Sequence, residues 1–188
     1  MRIKSVLVIL AVFILIPISS MASEVNAGED VNPEDGEVPF TIAERTSPSV
    51  DGDVWSLSIV MNDEEAANET EFELTTQVCT NDGVCDPPVK MDAEKEGNTY
   101  SISVTPPSDH TYVNWRVKAI YSDGNTTNFP QGDWYKTWSS CYYQQDSGWG
   151  GEDYQDGECS TGEDVGLPGF GAVIASTGIA FAAITRRD

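Results

Sequence analysis

The residues in this 188-residue chain whose chemistry depends most on their surroundings are four cysteines, Cys79, Cys85, Cys141 and Cys159. A thiol acts as a nucleophile or metal ligand where the compartment is reducing, and closes a disulfide where it is oxidising. Cys79 and Cys85 bracket Thr80-Asn81-Asp82-Gly83-Val84, and an Asp-Gly pair is the turn that returns one antiparallel strand beside another. A bridge across such a hairpin tip is geometrically easy. Cys141 and Cys159 would close a longer loop over a Gly-rich stretch. Four cysteines allow three connectivities, and sequence does not choose among them; the sequential pairs Cys79–Cys85 and Cys141–Cys159 are the favoured reading.

The remaining chemistry-bearing residues are sparse. His110 is the single histidine and stands beside Asp109 in a turn, so no multi-histidine metal site and no His-based triad is expected, and it reads as a surface group. Acidic clusters at Asp51-Gly52-Asp53, Asp63-Glu64-Glu65, Glu152-Asp153 and Asp156-Gly157-Glu158 lack the spacing of a calcium loop and read as solvated surface. With no catalytic constellation the expectation is a protein that is not an enzyme, without metal or cofactor. Trp134, Tyr135, Trp138, Tyr142, Tyr143, Trp149 and Tyr154 form a dense aromatic group. Trp134 and Trp138 would share a strand face, so at least half of the group is expected in the core. Trp134, Trp138, Tyr142 and Trp149 are the candidates for a sugar-stacking or protein-contact patch. The sequons Asn68-Glu69-Thr70 and Asn125-Thr126-Thr127 offer Asn68 and Asn125 as glycan acceptors.

The elements that must position these residues are short strands. Trp55, Leu57, Ile59 and Met61 alternate with polar neighbours, as do Phe72, Leu74, Thr76 and Val78, then Tyr100, Ile102 and Val104. The most regular run is 111–121, where Val113, Trp115, Val117 and Ala119 share one face and Asn114, Arg116 and Lys118 the other. Strands at 39–42, 54–61, 71–79, 89–91, 100–104, 111–121 and 134–143, bounded by Gly, Pro, Asn or Asp, predict an all-β antiparallel sandwich of about seven strands over residues 38–143. No stretch of that region has a convincing helical period. Residues 23–37 are acidic and aperiodic and read as a disordered leader; 144–165 reads as an acidic, Gly-rich stalk.

Both ends of the chain have a different character. Arg2 and Lys4 precede an apolar run from Val6 to Ser19 that is short for a membrane span, and Ser20-Met21-Ala22 supplies small residues for cleavage, so residues 1–22 are a signal peptide. Export places the four cysteines in an oxidising compartment. Residues 166–188 hold Pro168-Gly169-Phe170, an apolar run and Arg186-Arg187, which reads as a membrane anchor or a processing address. Between residues 23 and 166 thirty acidic groups face six basic ones. Nucleic acid is excluded as a partner by that balance, because binding it requires neutralised phosphates.

Three resemblances follow from these residues. The run Trp115-Arg116-Val117-Lys118-Ala119-Ile120-Tyr121-Ser122-Asp123-Gly124 resembles the penultimate strand of fibronectin type III and related immunoglobulin-like domains, which implies a scaffold with loops at its ends and no reaction. The segment from Cys79 to Pro88 resembles the short cysteine motif of the immunoglobulin-like N-terminal domain of the DsbD type of thiol-disulfide interchange protein. That likeness implies electron exchange through Cys79 and Cys85. The order Pro168-Gly169-Phe170, apolar run, basic end resembles the PGF-CTERM sorting signal of archaeal surface proteins, and implies an archaeosortase-like enzyme, removal of the tail and attachment to a membrane lipid. The expectation is an exported, membrane- or lipid-anchored glycoprotein at the cell surface, displaying a non-enzymatic domain for binding, adhesion or envelope structure. Its ligand would be a protein or a glycan. The alternative is an extracytoplasmic thiol-disulfide exchange module.

Overall fold

Burial alternates along this chain because its apolar residues recur every second position, and a period of two can bury one face only if the backbone is extended. The computed structural model describes residues 26–160. The signal segment 1–22, residues 23–25 and 161–165, and the segment 166–188 with Pro168, Gly169 and Phe170 lie outside the described residues.

In chain order the elements are β1 (Phe40–Arg45), β2 (Trp55–Met61), α1 (Asp63–Ala67), β3 (Glu71–Thr80), β4 (Val89–Lys90), β5 (Glu94–Glu96), β6 (Thr99–Val104) and β7 (His110–Ile120). Then come β8 (Thr126–Phe129), β9 (Tyr135–Trp138), β10 (Tyr142–Gln144), β11 (Gly148–Gly150), β12 (Tyr154–Gln155) and β13 (Glu158–Cys159). One sheet has the order β1-β2-β6-β5 and the other β4-β3-β7-β8, with β9 pairing the first half of β7. Two further ribbons, β10-β11 and β12-β13, complete an all-β, antiparallel architecture.

The two main sheets share one core. Trp55, Leu57 and Ile59 from β2 meet Leu74 from β3 and Val113, Trp115 and Val117 from β7, all of them essentially without exposure. Phe40 stands edge-on to Phe72 across the layers, ring centroids 5.8 Å apart and planes at 78°. Each such side chain contributes on the order of 1.5–3 kcal/mol by leaving water. The alternating residues of β2, β3 and β7 therefore do what their spacing predicts: one face of each strand is the core.

Four sequence expectations change. The strand expected over 134–143 is two, β9 and β10, because Ser139 donates its hydroxyl to the Cys141 carbonyl at 2.9 Å and the Ser140 N–H turns aside to the Ser49 carbonyl at 2.7 Å. Such local bonds compete with a ladder. A five-residue helix, α1, and the short strands β5 and β8 were not foreseen; runs this brief show no countable period.

Residues 26–37 are no free leader. Val31 exchanges both backbone hydrogen bonds with Lys136, at 3.1 and 3.0 Å, so the segment adds a bridge beyond β9. Asp30 pins it: one carboxylate oxygen accepts from Arg45 Nη2 at 2.8 Å and Ser47 Oγ at 2.6 Å, the other from the Trp138 N–H at 2.8 Å. Residues 144–160, likewise, are not a stalk. They form β11, β12 and β13, and the Asp153 N–H reaches the Ser140 carbonyl at 2.8 Å. The folded unit thus extends to both limits of the described residues.

Candidate functional site

The cysteines pair as Cys79–Cys85 and Cys141–Cys159, with no free thiol among the described residues. The first bridge crosses the β3 hairpin tip, where the Thr80 N–H meets the Val84 carbonyl at 2.8 Å and Gly83 takes a positive φ of 81°. Its two halves differ. Cys79 is buried, with the Asn114 Nδ2 amide 3.5 Å from its sulfur, while Cys85 is exposed. Asp82 lies beside the pair, and hydrogen bonds from the Thr80 hydroxyl and the Val84 N–H hold its carboxyl below the usual range. A fixed negative charge there disfavours a thiolate. The second bridge ties the end of β9's continuation to β13, closing a separation of 18 residues around β11 and β12.

Histidine departs most from the sequence reading. His110 is completely buried rather than at the surface. Its Nε2 lies 2.8 Å from Ser49 Oγ and its Nδ1 lies 2.6 Å from Asp51 Oδ1, with the Pro107 carbonyl at 3.0 Å from the same nitrogen. A serine, a histidine and an aspartate are therefore strung in the order of a catalytic triad, the constellation that one histidine in a turn was not expected to build. Nδ1–H donating to the carboxylate leaves Nε2 to accept from the serine hydroxyl. Ser49, however, is also without exposure, and its backbone N–H and C=O are bonded to Trp138 and Ser140. A nucleophile needs a substrate carbonyl within about 3 Å, and here protein surrounds the hydroxyl. The chain of bonds holds three segments together: the loop after β1, the start of β7 and the end of β9. Nothing in the sequence signals it, since the partners are separated by 61 and 59 residues.

The candidate aromatics divide into two groups. Trp134, Lys136 and Trp138 do share a face, the one away from the core. Trp134 is half-buried under the Arg116 guanidinium at 4.4 Å; Trp138 is buried between Tyr112 and Tyr142, at ring distances of 5.2 and 4.7 Å. Tyr142 is buried too, its hydroxyl end packed so closely against Gly28 and Gly150 that neither position has room for a Cβ. Trp149 alone of the four candidates is openly displayed, at 47% exposure. It stacks on Tyr154 at 5.8 Å with planes 13° apart, and meets Tyr143 at 5.4 Å.

Tyr143 also lines a cleft of about 520 Å³ between the β3 hairpin tip and the turn after β10. Asn81, Asp82, Tyr112, Gln144 and Asp146 complete its walls. Asn81 organises the floor: its Oδ1 accepts from Thr111 Oγ1 at 3.0 Å and from the Tyr143 N–H at 2.8 Å. On the opposite flank a groove of about 360 Å³ runs between the sheet edges beside Lys90, Met91, Lys95 and Tyr100. It is bounded by Glu73, whose carboxyl is held low chiefly by its hydrogen bond from Lys90 at 2.6 Å.

Asn68 and Asn125 are both exposed, one after α1 and one in the β7–β8 turn. Among the described residues no group of three or more His, Cys, Asp or Glu is placed to hold a metal ion, and no helix is long and apolar enough to cross a membrane. The chain matches no protein-family model and no curated protein.

Proposed function

We propose that this chain is an exported cell-surface protein, tethered through its C-terminal segment, whose immunoglobulin-like sandwich displays a binding surface. The observation that carries the reading is the Tyr143–Trp149–Tyr154 stack, which leaves a tryptophan half in solvent on a ribbon held by the Cys141–Cys159 bridge. Large aromatics shown to water on a braced support are characteristic of contact sites. Two disulfides suit an oxidising compartment. The strand orders β1-β2-β6-β5 and β4-β3-β7-β8 support the immunoglobulin-like assignment, because both sheets are joined by the crossing connections such sandwiches use.

The test compares the mature protein and its Trp149→Ala variant for binding to envelope material from the producing cells. Loss of binding with an unchanged thermal midpoint is expected; equal binding refutes the reading. A mass measurement on the mature protein addresses the tether, and retention of Arg186-Arg187-Asp188 would refute removal of the tail.

Thiol-disulfide exchange through Cys79 and Cys85 is the second reading, favoured by the exposure of Cys85. A partner thiolate could reach that sulfur and expel Cys79. A reduction potential below about −300 mV would mark an inert structural bridge and sink it.

A further inference from the structure

We infer that the cleft between the β3 hairpin tip and the β10–β11 turn, continued by the Trp149 platform, is a binding site for a neutral oligosaccharide. The inference rests on the binding reading above and specifies its ligand.

The cleft is lined by groups that hydrogen-bond without carrying positive charge: the amides Asn81, Gln144 and Gln145 and the carboxylates Asp82 and Asp146. Phosphate and other anionic ligands have nothing to neutralise them there and two carboxylates to repel them. A lipid or other apolar ligand fits as poorly, since apolar pockets are mostly hydrophobic in lining and this one is mostly amide, hydroxyl and carboxylate. A sugar satisfies both halves of the site. Its hydroxyls donate to carboxylate and amide oxygens and accept from amide nitrogens, and its C–H face lies flat on an aromatic ring.

Two details of the structure place these halves together. Tyr143 belongs to both, forming one wall of the cleft and meeting Trp149 at a ring distance of 5.4 Å. Asn81, with Oδ1 committed to Thr111 and Tyr143, has its Nδ2 donors left for a ligand oxygen. The volume of about 520 Å³ is of the size that receives a short oligosaccharide.

The experiment uses the full chain in detergent, titrated with a panel of neutral oligosaccharides while tryptophan emission is followed, and binds the same protein to envelope material before and after periodate oxidation of its glycans. Saturable binding is expected, weakened about tenfold or more by Trp149→Ala and by Asp146→Ala at unchanged thermal midpoints, together with loss of envelope binding after periodate. Sugar binding unaffected by both substitutions would overturn the site. Envelope binding that depends on Trp149 but survives periodate, or disappears on raising salt alone, would overturn the sugar and point to a protein or basic-peptide ligand while leaving the binding reading intact. Envelope binding indifferent to Trp149 would remove both.

Discussion

Replacing His110 with alanine should destabilise the fold more than any surface substitution, and the structure says by roughly how much. The imidazole is fully buried and joins Ser49 at 2.8 Å to Asp51 at 2.6 Å. Its removal leaves the Asp51 carboxylate, itself largely covered, without its partner, and empties a space the size of the ring. Ser49 keeps one outlet, since its hydroxyl can still donate to the Trp138 carbonyl at 3.2 Å. Leaving a covered carboxylate without its donor costs about 1–3 kcal/mol and emptying the ring's volume adds a cavity penalty of similar size, about 3–5 kcal/mol together. Spread over a unit of this length, that is about 10–20 °C in thermal midpoint.

His110→Gln separates shape from titration. Burial holds the His110 pKa below its ordinary value, with the Asp51 charge pulling the other way. The unfolded imidazole thus takes up a proton near pH 6.5 while the folded one does not, and stability falls as pH drops through that point, by at most about 1.4 kcal/mol per pH unit. Asp51 is shifted upward, mainly by the same burial, so it binds its proton more readily when folded and returns part of the loss at more acid pH. Asp109 and Asp153 also face this pair. The wild-type advantage over the Gln variant, measured by urea unfolding from pH 7.5 to 5.5, should shrink with falling pH. A constant difference, or a cost below about 1 kcal/mol for His110→Ala, would refute the reasoning.

Three other outcomes are expected. Gly151→Ala should cost about 3 kcal/mol or more, because the residue has φ of 106° and a Cβ would stand 2.1 Å from the Ser140 carbonyl oxygen; urea midpoints check it, and a neutral result would mean that the β10–β12 connection is free to shift. Joint replacement of Cys141 and Cys159 by serine should cost about 3 kcal/mol for a loop of this length, and a red shift of Trp149 emission should report the loosened ribbon. Trp115→Phe should be tolerated at about 1.5 kcal/mol or less against about 3–5 for Trp115→Ala, since the indole N–H has no partner among the described residues and nothing polar is lost with it; calorimetry distinguishes the two.

The all-β class was legible because alternation is a local property: Trp55-Ser56-Leu57-Ser58-Ile59 can bury one face only as a strand, whatever lies opposite. The hairpin bridge was equally local, its cysteines flanking a turn of five residues. Runs that are short, or acidic without being free, escaped that logic. Asp30 and Val31 look like leader residues until Arg45, Lys136 and Trp138 are beside them, and β12 and β13 look like stalk until Cys159 is bound to Cys141. Aromatic residues could be enumerated but not sorted, since neighbours in sequence such as Tyr142 and Tyr143 point to opposite sides of β10, one into cover and one into the cleft.

By itself the sequence determined the period-two strands, the excess of acidic over basic residues, and which residues could form bridges. Tertiary structure alone decided that His110 would be buried between Ser49 and Asp51, that Trp138 would be covered and Trp149 displayed, and that a polar cleft would open beside Tyr143. The physical reason is separation along the chain: each of these depends on groups dozens of residues apart, whose meeting is set by sheet order and loop closure rather than by any pattern within a short window.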